Sequence, residues 1–520
     1  MELIKNKFAT TITKASKYTQ FTIDEDFNVP EKDPDIEKVI MSCGNVVIEN
    51  TEVLEHKVRI MGSVVFKTLY QSEDVQGDMP ELAAYENEIF FEEAINIDGV
   101  MPGDKTENMI NLEDLYVTMI NSRKIEVRGL IGVKVTVYSK VCVEGATGIQ
   151  NGAGIECRME QIPFTNNVAS CRDILKLKED IELPAAKPNI EHLIWEQVSF
   201  RGIEAKAMDG EVHIKGEMEL FAIYTAEGGG TSVQYINAVR SFEGDVPCPD
   251  SSLGMILDEY ITPGKGSVIV KADPDGEDRI IQVEYGLNID MKVYEDMELG
   301  FLSDMFSPSA ELELKEQELE FENLLLKNNA RAKASARERI KSGQPPILQI
   351  ANATGIVEID DVHFYEDGIG ITGAVKAKVL YISSDDNRPL METEMVVPFT
   401  YKAESTMLNE NDIVRIVPNV AQMTAMLNGS DEIELKVEIN MNISVFARKC
   451  IRVIEDIQIL PLDWDKKARM PGIVGYIVRD GDTIWSIAKE CYSSIDSIRK
   501  INDLASDNVK AGDKLIVVKN

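Results

Sequence analysis

At 520 residues the chain is too long for a single core, so two to four domains are expected. Its 89 acidic against 54 basic side chains leave a formal net charge of −35, which argues against nucleic acid or anionic lipid as a main partner. No window approaches the ~20 apolar residues of a membrane helix, and MELIKNKFATTITKASKYTQ at the front has no apolar run of signal-peptide length.

From the N-terminus onward, one pattern returns three times. Pro34 opens PDIEKVI, VRIMGSVVFKTLY follows at 58–70, and IEVRGLIGVKVTVY at 125–138. Pro188, VHIKGEMELFAIY (212–224) and IIQVEYGLNIDMKVY (280–294) repeat the order. Pro345, IGITGAVKAKVLY (369–381) and IELKVEINMNISVF (433–446) repeat it again. Gly62, Gly216 and Gly373 lie 154 and 157 positions apart, each 28 residues after its proline and eight before Tyr70, Tyr224 or Tyr381. Shared order and spacing point to triplication of one domain. The expected boundaries are 1–155, 156–315 and 316–466, with a separate unit at 473–520.

Within a copy, apolar and polar residues alternate. In VHIKGEMELFAIY, Val212, Ile214, Gly216, Met218 and Leu220 fall on one side, and His213, Lys215, Glu217 and Glu219 on the other. That is the period of a half-buried strand. A glycine inside such a strand implies a bulge or a close backbone approach. EGGG (227–230), PDG (274–276) and SSDDN (383–387) read as turns. The fold class expected is mainly β: three tandem antiparallel sandwich or barrel-like domains, folding as beads with separate cores, then a small α+β tail. Between copies two and three, ELELKEQELEFENLLLKNNARAKASARERI (311–340) is rich in helix formers and reads as a junction with a connecting helix, though its opening alternates like a strand. Shorter linkers are placed near Gly148–Gly154 and Pro461–Gly472. Trp195 and Trp464 are expected at domain edges.

In the tail, Tyr476-Ile477-Val478 reads as a strand and Gly481-Asp482 as a turn. Asp482 or Thr483 can cap a helix whose buried face is Ile484, Ile487, Ala488 and Cys491. Ser494 can cap a second helix with Ile495, Ile498 and Ile501, and Leu515 to Val518 form a closing strand. The order is β-α-α-β. Trp485 is either core or an exposed contact.

No chemistry-bearing motif emerges. GxxxxGK[ST], GxSxG and HExxH are absent, and His56, His192, His213 and His363 have no metal-ligand spacing. The seven cysteines form no CxxC and read as reduced, mostly buried thiols. Neither an enzyme nor a cofactor is expected.

The tail's Y-x-V-x-x-G-D-T-I-W-S-I-A, Asn502 and A-G-D-K-L-I-V closely resemble the LysM family, although Ile516 is followed by Val517 where many members carry proline. The resemblance implies a shallow groove for N-acetylglucosamine-containing glycans between two loops: Asp480, Gly481, Asp482, Thr483 and Ile484, then Asn502, Asp503, Leu504, Ala505 and Ser506. The competing reading is purely structural: Gly481 to Thr483 as turn and cap, Asn502 as the end of a helix. Protein binding through the same surface is a further alternative.

FTIDEDFNVPEKDPDIEKVIMSCGNVVI (21–48) with the two strand-like stretches after it resembles the SPOCS domain of endospore-forming bacteria. FSPSAELELKEQELEFE (306–322), assigned to the second copy, is also typical, and the third copy is expected to be the most divergent. Repeated SPOCS domains before one LysM are similar to a family of spore-coat morphogenetic proteins. That resemblance implies a non-enzymatic adaptor in the mother-cell cytoplasm, recruited to the forespore outer surface. Its partner would be the coat's basal ATPase, stage IV sporulation protein A, with the LysM as main docking module. The alternative is recognition of cortex peptidoglycan through the LysM.

Overall fold

The computed structural model describes residues 2–519 except 77, 78, 151, 153, 228–232 and 406–407. Six strands recur in each of three units. The first holds β1 (Glu2–Asn28), β2 (Ile36–Leu54), β3 (Lys57–Gln76), β4 (Met79–Asn96), β5 (Lys105–Asn121) and β6 (Lys124–Gln150). The second holds β7 (Glu156–Glu182), β8 (Ile190–Met208), β9 (Glu211–Ala226), β10 (Val233–Pro247), β11 (Ile256–Ala272) and β12 (Asp278–Phe306). The third holds β13 (Glu311–Arg339), β14 (Ile347–Tyr365), β15 (Gly368–Ser383), β16 (Leu390–Glu404), β17 (Ile413–Asn428) and β18 (Glu432–Leu460). Each unit makes two antiparallel three-stranded sheets, ordered β1-β6-β5 and β2-β3-β4 in the first and likewise in the others.

Alternation builds the cores. On β6, Ile125, Val127, Ile131, Val133, Val135 and Val137 are buried and meet Val58, Ile60, Val64 and Phe66 of β3. The two sheets thus close face to face as a sandwich. Each such side chain stabilises by roughly 1.5–3 kcal/mol relative to exposure.

The repeated glycine is a site of close approach on both sides. Gly62 lies opposite Phe91, Gly216 opposite Phe242 and Gly373 opposite Phe399. A Cβ on them would stand 2.9, 2.8 and 2.9 Å from the ring Cζ of those phenylalanines. The neighbouring strand on the other side carries a register shift beside each glycine, at Ile48/Asn50, Arg201/Glu204 and Ile359/Asp361. The conserved spacing of proline to tyrosine also has a contact behind it. Tyr70 donates to the Pro34 carbonyl and Tyr224 to the Pro188 carbonyl, both at 3.2 Å. In the third unit Tyr381 faces Met391 Sδ at 3.8 Å instead.

Three expectations are corrected. Residues 311–339 are the strand β13, not a helix, and it pairs with β18 from Glu311↔Leu460 to Arg339↔Glu432. Cross-strand pairs Lys333–Glu438 (2.6 Å), Arg337–Glu434 (3.0 Å) and Arg339–Glu432 (3.3 Å) favour that pairing over the residues' helix propensity. Most of FSPSAELELKEQELEFE therefore belongs to the third unit's first strand, not to the second copy. The thiols are not mostly buried either: Cys248 is buried, Cys142 and Cys450 are exposed, and the other four are intermediate.

The third correction concerns the beads. Each unit has its own core, but the units also share cores. Met41, Leu69 and Leu82 pack with Trp195, Phe221 and Ile223 and with Ala351, Leu380 and Leu390, one trio from each unit. Trp195 does sit at its unit's edge, and that edge is buried. A second shared cluster joins Val143 to Phe164, Leu299 and Phe301 and to Phe321 and Val453. A charged cluster lies between the units as well. Glu107, Asp258 and Arg415 are each the third residue of β5, β11 and β17, and their cross-strand partners are Thr136, Lys292 and Ser444. Lys292 reaches Glu107 at 2.8 Å, and Arg415 reaches Glu107 at 2.5 Å and Asp258 at 2.7 Å.

Turns at the ends of strands follow their chemistry. Gly276 of PDG takes φ +85°, and in SSDDN the Ser383 Oγ accepts from Asp385 N at 3.1 Å. Gly228–Gly230 of EGGG fall outside the described residues. After β18, α1 (Trp464–Arg469) leads into the tail, and the side chain of Trp464 lies outside the described residues.

Candidate functional site: the terminal module and its seat

The tail folds as β19 (Ile473–Ile477), α2 (Ile484–Glu490), α3 (Ile495–Ile501) and β20 (Lys514–Val518), the strands paired antiparallel. Val478, Ile487, Ala488, Ile498, Leu515 and Val517 form its core. Of the predicted helix faces, Ile484, Ile487, Ala488 and Ile498 are buried, while Cys491 is half-buried and Ile501 is exposed.

The first predicted loop is held by its own hydrogen bonds. Thr483 is the N-cap of α2: its Oγ1 accepts from Ser486 N at 3.1 Å, and Thr483 N donates to Ser486 Oγ at 2.9 Å. Asp482 is not the cap. Its carboxylate accepts from Arg479 N (2.8 Å) and Tyr476 OH (2.9 Å), which hold it below the usual carboxylate range. Gly481 takes φ +89°, open to glycine and strained for other residues. Ile484 is buried, whereas Asp480, Gly481 and Thr483 are exposed.

The second loop is tied elsewhere. Asn502 ends α3, donates to the carbonyls of Ile498 and Ile516 (2.8 Å each), and accepts from Ile516 N at 2.7 Å. Its amide therefore stitches α3 to β20. Asp503 adopts φ +49°, and Leu504 packs on the module's core. Ala505 and Ser506 are exposed, and Ser506 Oγ accepts from Asn508 N at 3.4 Å. Of the ten predicted residues, Asp480, Gly481, Asp503, Ala505 and Ser506 present themselves to solvent; Asp482, Thr483, Ile484, Asn502 and Leu504 serve the frame.

Sequence reasoning missed the seat of the module. Trp485 Nε1 donates to Asp304 Oδ2 at 2.8 Å, and its ring meets Phe306 edge to face at 4.9 Å. Lys489 pairs with Asp304 at 2.7 Å, and Tyr492 OH donates to Glu311 Oε1 at 2.7 Å. Burial alone would raise the Asp304 carboxyl, but the hydrogen bonds from Lys489 and Trp485 outweigh it and hold it low. Lys467 of α1 donates to the Pro308 carbonyl at 3.0 Å, and Lys519 donates to the Lys467 and Met470 carbonyls. The module is thus fastened where β12 hands over to β13. The opposite surface stays open: Ile473, Ile477 and Ile516 on the two-stranded sheet are 66, 61 and 50 % exposed.

Elsewhere, His213 hydrogen-bonds Asp245 at 2.7 Å across β9 and β10. Among the described residues no group of three or more His, Cys, Asp or Glu side chains is placed to hold a metal, and no helix is long and apolar enough to cross a membrane.

The family model for SipL, SPOCS domain, matches residues 35–120 and 346–428, and the LysM domain model matches 476–518. The SPOCS matches run from β2 to β5 and from β14 to β17, the middle four strands of a six-strand unit. The third copy, expected to be the most divergent, is one of the two matched. No curated protein and no solved structure matches the chain. Both domain types are of the binding and adaptor kind, and the two matches fit a sporulation-related adaptor. With SPOCS segments in two places and a C-terminal LysM domain, the chain matches the domain make-up of a SipL-like protein.

Proposed function

We propose that the protein is an assembly adaptor of the spore coat. In the mother-cell cytoplasm it docks the coat's basal ATPase layer at the forespore outer surface, with the LysM module as main docking element. One observation carries this reading. The module is clamped to the body through Trp485, Lys489 and Tyr492, while its apolar strand face, Ile473, Ile477 and Ile516, is left uncovered. Exposed isoleucines on a fixed platform suit a protein partner. The acidic repeats supply the rigid body behind that platform.

The test is co-purification of stage IV sporulation protein A with the full chain carrying Ile473→Ser and Ile477→Ser. Loss of the ATPase, with the module still folded by NMR, is the expected result. Undiminished capture would overturn the reading and leave the repeats as the docking surface.

Peptidoglycan binding is the second reading, favoured by the LysM match and by the exposed loop residues Asp480, Asp503 and Ser506. Sedimentation of the full chain with insoluble peptidoglycan, beside its D480A/D503A variant, separates the two. Retention of the wild type and release of the variant would support glycan binding.

A further inference from the structure

The two-stranded sheet of the terminal module has two outer edges, and the chain treats them differently. In the pairing of β19 with β20, Gly472 O accepts from Lys519 N at 3.0 Å and Val478 N donates to Asp513 O at 2.9 Å. Antiparallel partners exchange their hydrogen bonds at every second residue. Val474 and Tyr476 therefore turn their main-chain groups toward β20, and Ile473, Gly475 and Ile477 turn theirs outward. On β20 the outward residue is Ile516, and the Asn502 amide takes both its N–H (2.7 Å) and its carbonyl (2.8 Å). That edge is closed. Among the described residues, none bonds the outward groups of Ile473, Gly475 and Ile477.

The edge of β19 is open as well as unpaired. Gly475 has no side chain, so its exposure is exposure of main chain, and a Cβ built on it would meet nothing within 4 Å. Proteins guard an edge strand with a charge, a proline or a bulge. Ile473-Val474-Gly475-Tyr476-Ile477 has none of these, and its register with β20 runs without a shift. A row of free N–H and C=O groups at strand spacing is matched by another strand.

Two features select the occupant. The first is charge. Residues 473–520 hold seven basic and seven acidic side chains, so the whole formal charge of −35 lies in residues 1–472. The module is the part of the chain that a second copy can approach without that repulsion. The second is symmetry. Isoleucine stands two residues from Gly475 on either side, so the outward row Ile473, Gly475, Ile477 is its own antiparallel complement. A two-fold axis through paired Gly475 residues sets Ile473 of each copy opposite Ile477 of the other, the arrangement of an isologous contact.

We infer that two copies of this protein associate through β19, edge to edge and antiparallel, into a four-stranded sheet. Ile473, Ile477 and Ile516 of both copies then lie on one continuous apolar face. The contact is made by main chain at the edge and does not rest on docking of the ATPase at that face. A strand of 5 residues makes an interface well below the ~1,600 Å² of stable complexes, so the dimer is weak and reversible.

The test is sedimentation equilibrium of the full chain from low-micromolar to near-millimolar concentration. The mean mass should climb toward twice that of one chain. Gly475→Pro removes an outward N–H while keeping the bonds to β20 and all three isoleucines. It should weaken association by about 10-fold or more, as two lost main-chain bonds imply. A second set of variants reads the register, with NMR to check that the module is folded. Ile473→Lys with Ile477→Lys sets like charges across the two-fold axis and should leave the chain monomeric. Ile473→Lys with Ile477→Glu sets opposite charges there and should restore the dimer, although the apolar face, and with it ATPase capture, is lost. A chain that stays monomeric throughout overturns the inference, as does a dimer indifferent to Gly475→Pro or equal behaviour of the two charged pairs. Loss of ATPase capture in Gly475→Pro from a monomeric chain would give the edge to a strand of that partner instead.

Discussion

Arg415 of the third unit and Glu107 of the first, 308 positions apart, are joined Nε to Oε1 at 2.5 Å inside the protein. Arg415 also holds Asp258 of the second unit, so one guanidinium ties three units together. Burial raises the cost of all these charges, and only their mutual pairing offsets it. Arg415→Met would leave two carboxylates buried without their main partner. We expect a loss of about 3–5 kcal/mol, measured by urea unfolding at pH 7.

The same cluster predicts an acid response. Burial by itself would lift the Asp258 carboxyl, but Arg415, Lys327 and Lys292 pull it down to about 2. A depressed carboxylate contributes stability that is whole above its unfolded value near 3.8 and is lost as pH falls through about 2. Unfolding midpoints should therefore drop between pH 4 and pH 2, and Asp258→Asn should flatten that limb. An unchanged limb in the variant would exclude Asp258 as its source.

Glu392 should act with the opposite sign. It is largely buried, Lys378 stands 3.8 Å away, and Oε2 has no hydrogen-bond partner. Burial raises its carboxyl to about 7. The folded state then keeps a proton that the unfolded chain releases, so stability falls as pH climbs from about 4.5 to about 7. Glu392→Gln should raise the melting temperature at pH 8 and change it little at pH 4. The gain is on the order of 1–3 kcal/mol.

The repeat glycines separate two kinds of crowding. At Gly62 a Cβ would meet the Val47 carbonyl at 2.4 Å, a backbone atom that cannot step aside. At Gly216 the nearest atom is Phe242 Cζ at 2.8 Å. Both alanine variants should lose about 1–3 kcal/mol. Phe242→Leu should restore part of the loss in Gly216→Ala, whereas Phe91→Leu should not rescue Gly62→Ala. Thermal unfolding of the four variants decides it.

Trp485→Ala should release the terminal module without unfolding it. The ring contact with Phe306 and the hydrogen bond to Asp304 go together. The docking loss is about 2–3 kcal/mol, less than the ~3–5 of a fully buried tryptophan. Protease should then cut faster within 461–472, while amide exchange inside α2 and α3 stays slow.

Cys171 and Cys248 carry a redox prediction. Their sulfurs stand 3.2 Å apart, one on β7 and the other just beyond β10, in different sheets of the second unit. Diamide should take two electrons and two protons from the pair, forming a disulfide and a hydrazine. The count of reactive thiols should fall by two, and Cys248→Ser should abolish that part of the change.

Much of this was legible in the chain. The period of two in VHIKGEMELFAIY gave the strands, the proline, glycine and tyrosine spacing gave the repeat, and a cap at Asp482 or Thr483 gave α2. What failed depended on distant partners. Residues 311–339 carry helix-forming side chains, and only pairing with β18, about a hundred residues on, makes them a strand. Trp485 could not be assigned because Asp304 lies 181 positions earlier. Likeness between the three copies predicts beads, because it carries no information about contact between them. Of the predicted tail loops, half the residues are spent on holding the turn, as Asn502 does with Ile498 and Ile516.

The apolar patch made by Leu69, Ile223 and Leu380 also bears on how the protein is born. At ribosomal speeds of roughly 5–20 residues per second, Leu69 emerges on the order of 15–60 s before Leu380 exists. For that interval the nascent chain carries an uncovered greasy flank, and its final docking must wait until the third unit has been made.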